Sequence, residues 1–364
     1  MQFSPYLRAV IDSREKLVAY LSRLRAAEWV ALDTEADSLH AYPEKLCLVQ
    51  ISLPNYDTLV DPLAGLDLSA LWETLSGREL IMHGADYDLR LLRKTNGFVP
   101  KRIFDTMIAA RLLGRAKFSL SDLVSGCLGV ALEKGPQKAN WARRPLTRQM
   151  ETYAVNDTHY LKPVAEILGA ELREKGRLSW HEETCARLIE ECSLLRVPDA
   201  GLVWRIKGSF RLNPHALAVL RELWHWREKE ALARNQPPYF VLSPERMVAL
   251  AAAAAQSPSV EPHLPRHLAE PHKQTLREVI TRARSIPPSN HPELLRPAGI
   301  RITHEQKRNY HALERHRNRQ AALLGIDPTL IGSRATLIAL AIDWNAHQHE
   351  LMRWQRELLK MERK

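Results

Sequence analysis

Strand-like sequence is confined to the first half of this 364-residue chain, and that asymmetry limits the folds open to it. Short apolar runs at 29–33, 46–52 and 58–61 follow one another closely, the second and third separated by Pro54-Asn55, which predicts an antiparallel meander. Two more strand-like runs, 79–83 and 102–105, alternate with helical patterns at 68–75, 86–94 and through 113. Ser119, with Asp122 three residues on, reads as the cap of a further helix, and 147–175 is helical with Pro163 set to kink or restart it. Strands first and mixed α/β afterwards predict one mixed sheet flanked by helices.

Beyond residue 200 the strand signals stop. Pro198, Asp199 and Gly201 mark a hinge, and Asn213-Pro214 opens a helix running to about Arg234. Pro237-Pro238, Ser243-Pro244, a Pro/His-rich stretch at 257–271 and Pro287-Pro288 break up the stretch from there to residue 303, and 303–364 is helical again. Each helical set has a long Arg-rich helix, a proline-marked turn and another helix, the pattern of a duplicated module. The expected domains are 1–200, 201–288 and 289–364.

Charge follows the same division. Residues 1–200 hold 26 Lys and Arg against 27 Asp and Glu, whereas 201–364 hold 26 against 15. A neutral body with a basic appendage suits a polyanionic partner. No apolar run is long enough to span a membrane, so no membrane role is expected. Cys47, Cys127, Cys185 and Cys192 are dispersed, which fits reduced thiols in the cytoplasm.

Five residues in three motifs carry the chemistry: Asp33 and Glu35 in VALDTEAD, Asp88 in IMHGADYDL, and Tyr153 and Asp157 in YAVNDTHYL. Asp33 and Glu35, two apart at a strand end, share one face. Tyr153 and Asp157, four apart on a helix, are neighbours. Adjacent carboxylates repel unless a cation lies between them, and oxygen-only ligation selects Mg²⁺ or Mn²⁺ over zinc. Each motif alone also has a structural reading, since a DxE at a strand end is common and a YxxxD on a helix is often a surface pair; the ordered set points to a hard-metal site.

The words around these residues carry a resemblance. VALDTEADSLHAYPEKLCLVQIS, IMHGADYDLRLL, IFDTMIAARLLG and NWARRPLTRQMETYAVNDTHYL resemble the motifs of the ribonuclease D family, the tyrosine-bearing branch of the DEDD superfamily of 3′→5′ exonucleases, over most of residues 20–170. WRIKGSFRLNPHALAVLRELWHWREKEALARNQPP resembles the helicase-and-RNase-D C-terminal (HRDC) domain, and the last seventy residues do so more weakly. The resemblance implies a ribonuclease H-like α/β exonuclease domain followed by two all-α HRDC-like domains. It implies that Asp33, Glu35, Asp88 and Asp157 bind two divalent metal ions and that Tyr153 orients or helps deprotonate the attacking water. The implied substrate is RNA with a free 3′ end, tRNA precursors among them. The chain departs from the family after DTE, where Ala36-Asp37 stands in place of a common aromatic.

Around the motifs, residues 101–150 carry ten Lys and Arg against three acids. Asn140, Trp141, Arg143 and Arg144 have the mixture of a backbone-tracking groove with a stacking aromatic. Gln50 and His83 match motif neighbours that would touch the terminal nucleotide. In the helical half, Arg205, Lys207, Arg211 and Arg227 are the expected phosphate contacts. The rival readings are an exonuclease acting mainly on DNA and a non-catalytic nucleic-acid scaffold.

Overall fold

The computed structural model describes residues 7–195, 199–257, 259–266, 268–295 and 303–361. They form two compact units: the described parts of Met1–Ala36, Leu46–Leu195 and Arg301–Lys364, and those of Asp37–Lys45 and Arg196–Ile300.

The first unit opens with β1 (Leu7–Ile11) and α1 (Arg14–Ala26), the latter capped by the Ser13 hydroxyl. Then come β2 (Val30–Ala36), β3 (Leu46–Leu53), β4 (Tyr56–Val60), α2 (Ser69–Ser76), β5 (Glu79–Met82), α3 (Asp86–Asn96) and β6 (Arg102–Asp105). Five helices come next: α4 (Thr106–Leu112), α5 (Leu120–Leu128), α6 (Arg148–His159), α7 (Leu161–Glu174) and α8 (Leu178–Ser193). The sheet order is β1-β4-β3-β2-β5-β6. The expected meander is present: β2 pairs antiparallel with β3 and β3 with β4. β5 and β6 extend it in parallel on one side, and β1 pairs parallel to β4 on the other. Every residue of β3, LCLVQISL, is buried, as a strand covered on both faces must be. One face packs against α1, α2, α3 and α8; the other is covered by α6, whose Met150, Ala154 and Val155 meet Cys47, Leu48 and Leu59. Pro163 falls in the first turn of α7, where its missing N–H costs nothing, so it restarts the helix rather than kinking it.

The second unit is helical: α9 (Pro214–Ala233), α10 (Pro238–Val241), α11 (Pro244–Gln256) and α12 (Glu270–Arg284). Asn213 caps α9, and Leu217, Leu220 and Leu223 are core. Residues 37–45 belong to this unit: the Tyr42 hydroxyl donates to Glu228 at 2.5 Å and its N–H to Asn235 at 3.3 Å.

The remaining helices, α13 (His304–Leu324), α14 (Pro328–Ile331), α15 (Arg334–Ile342), α16 (Trp344–His347) and α17 (Arg353–Leu359), return to the first unit. The expected boundary at 288 sets residues 289–364 apart; the contacts group 303–361 with the sheet-bearing unit, because the two share one apolar core. Leu313, Ile331, Leu337 and Trp354 pack with Ala109, Leu112, Val124 and Leu168. The Trp180 and Trp354 rings stack at 5.0 Å. The Glu183 carboxylate accepts the N–H groups of Arg353 and Trp354 at the start of α17, and the Arg177 guanidinium donates to the carbonyls of Leu112 and Leu324. Among the described residues no helix is long and apolar enough to cross a membrane.

Candidate active site

β2 and α6 bring the acids together. Asp33 and Glu35 point to the face that α6 covers, and oxygens of Asp33, Glu35 and Asp157 lie within 4.8 Å of one another. α6 is pinned immediately after Asp157: the Thr158 and Ser52 hydroxyls meet at 2.7 Å, and His159 Nδ1 lies 2.7 Å from the Asp57 carboxylate. Tyr153 lies one turn earlier on the same helix. Its ring fits because residue 135 is glycine; a Cβ there would lie 1.7 Å from Tyr153 Cδ2.

Such acids resist ionisation. Burial first, then the charges of Asp88, Asp157 and Glu35, hold the Asp33 carboxyl well above the usual range. Burial and the neighbouring Asp157 and Asp88 push Glu35 up to about 9. Burial raises Asp157 to about 8 against the lowering effect of the Tyr153 hydroxyl. Burial, then Asp157, raises the Tyr153 phenol, which stays protonated at neutral pH. Three converging carboxylates that repel one another fit a divalent cation, whose charge would relieve the repulsion, and their oxygens suit a hard ion. Asp33, Glu35 and Asp157 would hold it.

Asp88 stands beside this cluster rather than in it. It is 6% exposed in the first turn of α3, accepts the Thr34 hydroxyl, and is raised by burial to about 6. Its charge still raises those of Asp33, Glu35 and Asp157. Before α3, His83 Nδ1 meets the Thr106 hydroxyl at 2.8 Å, and that hydroxyl donates to the Met82 carbonyl at 3.2 Å. Burial holds the His83 imidazole below its ordinary value.

The expected substrate contacts divide. Gln50 lies opposite Asp33 in the β2–β3 register and therefore shares its face, is fully buried, and neither amide atom has a protein partner. Asn140 uses its oxygen on the Ala142 N–H, whereas Arg143 is exposed. Two expectations need correction. Trp141 is 1% exposed and packs 6.0 Å from the Tyr153 ring, so it buttresses the tyrosine and presents no face to a base. Arg144 is occupied by Asp61 (2.5 and 2.6 Å) and by the carbonyls of Cys47, Trp141 and Arg143. In the helical unit, Arg227 is buried against Glu228 at 2.6 Å and Arg205 donates to the Glu293 carbonyl, which leaves Lys207 and Arg211 exposed. Arg211 lies 5.3 Å from the ring of Phe210, which is 72% exposed.

A mixed sheet with two acids on its second strand, converging on a third that shares the covering helix with a tyrosine, fits the class of metal-dependent 3′→5′ exonucleases. Residues 9–173 match the model of the 3'-5' exonuclease domain, and 216–260 that of the HRDC domain. The ribonuclease D of Pseudomonas paraeruginosa is 32% identical over 347 residues, 92% of this chain and 90% of that protein. That of Shewanella sp. (strain ANA-3) is 34% identical over 251 residues, but the match spans only 64% of its length. The chain belongs to the ribonuclease D family of 3′→5′ exoribonucleases. The structure of Escherichia coli RNase D has the same fold, with a TM-score of 0.74 at 23% identity, 99% of this chain and 98% of that chain being covered.

Proposed function

We propose that Asp33, Glu35, Asp88 and Asp157 hold two divalent cations, Mg²⁺ or Mn²⁺, and that the chain trims RNA from the 3′ end, releasing nucleoside 5′-monophosphates. The observation that carries this reading is the convergence of three half-buried carboxylates beside a protonated tyrosine. Two bound cations supply charge stabilisation for the attacking and leaving oxygens of an in-line displacement. The protein's own share is placement. Asp33 and Glu35 are fixed by the strand, Asp157 by the anchored helix, and the Tyr153 hydroxyl orients a water by hydrogen bonding; a phenol whose acidity is suppressed by burial is unsuited to act as a base. In residues 201–288, exposed Lys207 and Arg211 beside the Phe210 ring are suited to hold the trailing strand by phosphate contact and base stacking. Structured RNAs such as tRNA precursors, met in the cytoplasm, are the proposed substrates.

The test is trimming of defined 3′-tailed RNA and matched DNA with metal, with chelator, and with Asp157→Ala. Metal-dependent release of 5′-monophosphates, lost in the variant and stronger on RNA, is expected. Undiminished hydrolysis in chelator sinks the metal mechanism, and preference for DNA sinks the substrate class.

A further inference from the structure

We infer that Asp105 is a positioning residue for Asp88: its carboxylate holds the β5–α3 turn in the place from which α3 presents Asp88 to the site. The inference rests on the reading of Asp88 as a site carboxylate. α3 starts after Ala85, which has no capping side chain, so the Gly84-Ala85 turn that leads into the helix is held from outside it. Asp105, the last residue of β6, supplies the acceptor from the neighbouring strand. Its Oδ2 takes the Ala85 N–H at 2.8 Å, and its Oδ1 takes that of Gly84 at 3.1 Å. The same Oδ1 caps the helix that Asp105 itself begins, accepting Met107 N–H at 2.8 Å and Ile108 N–H at 3.1 Å.

One carboxylate therefore ties the starts of two helices together, and it is 1% exposed, so water does not compete for it. Met82 and Asp105 are parallel partners in register, which brings the carboxylate level with the turn. Gly84 completes the fit: its φ of +66° is left-handed, and a Cβ there would lie 2.5 Å from Met107 Cε. Asp88 is two residues into the helix so anchored, and a displacement near 1 Å at a reacting centre costs about a hundredfold in rate.

The arrangement offers a selective lesion. In Asp105→Asn the amide oxygen can keep the three bonds of Oδ1, including the cap of α4, while its NH₂ faces the Ala85 N–H and loosens only the α3 side. Full-length protein is compared with Ser119→Ala, which removes the cap of α5 in the same unit. Expected for Asp105→Asn is a kcat on short RNA reduced tenfold or more, a KM within about twofold, and Mn²⁺ binding, followed by the free-ion paramagnetic signal, weakened tenfold or more. Ser119→Ala lowers the melting temperature without these changes. Gly84→Ala, which strains the turn and leaves every carboxylate in place, gives the same signature and decides the matter if Asp105→Asn does not fold. Unchanged kcat and Mn²⁺ binding in the folded variants overturns the inference. Full activity of Asp88→Asn would instead remove the reading of Asp88, a separate result.

Discussion

Trp354→Ala tests whether the last helices brace the nuclease or merely accompany it. The indole is 3% exposed and stacks on Trp180 of α8 at 5.0 Å, and the backbone N–H beside it is held by Glu183. Truncating a buried tryptophan costs about 4 kcal/mol, the cavity and the lost ring pair included. With a urea dependence of about 3 kcal/mol per molar, the unfolding midpoint falls by about 1.3 M. The assay follows tryptophan fluorescence and hydrolysis of a short single-stranded RNA through the same urea series. Both transitions should shift together, because α8 packs on α3 and α4 in the sheet-bearing unit. If the fluorescence changes and the nuclease transition stays where it was, residues 303–361 fold independently and the shared core is wrong. Deleting 201–364 is consequently a poor test of RNA holding, since it removes core as well as surface.

Further outcomes are expected at the site and on the surface. Because Glu35 and Asp157 titrate near 9 and 8 in the metal-free protein, a cation must displace protons: Mg²⁺ affinity should rise from pH 6 to 9 with proton release by calorimetry at pH 7, and absence of release contradicts the pushed-up carboxyls. The same raised values mean that the folded state holds protons the unfolded chain releases above about pH 4, so metal-free stability falls as pH rises from about 4 to 8–9 and levels off beyond, and Glu35→Gln should flatten that fall. Arg144→Ala leaves buried Asp61 without its guanidinium and should cost about 3 kcal/mol in melting experiments, with cleavage per folded molecule near wild type; a raised KM at unchanged stability would restore Arg144 as a substrate contact. Phe210→Ala should weaken binding of single-stranded RNA about five- to a hundredfold without slowing cleavage of dinucleotides, measured by anisotropy and kcat.

Much of the site was legible because its residues sit in local words. The pairs Asp33/Glu35 and Tyr153/Asp157 need only strand and helix periodicity to become neighbours. The meander was legible for the same reason. What was hidden depends on partners far away in the chain. β1 is five residues long and is stabilised by a parallel neighbour 50 residues later, which no local pattern announces. Trp141 and Arg144 looked like a stacking ring and a phosphate contact from their basic surroundings, yet composition carries no direction, and both turn inward to Tyr153 and Asp61. Asp105 read as the end of a strand; its second helix comes into view only when β5 and β6 pair. The likeness of the two helical sets likewise said nothing of which apolar face would meet α4, α7 and α8.

The bond between Glu183 and Arg353 joins residues 170 apart, which sets an order of events during synthesis. At about 5–20 residues per second, a ribosome needs roughly 10–30 s to travel from one to the other. For that interval every carboxylate of the site has been made, and the segment between can settle around its own core, while Trp180 waits without its stacking partner. The nascent nuclease is thus written early and clamped late. A chaperone or protease meeting the growing chain would find its soft face on α8.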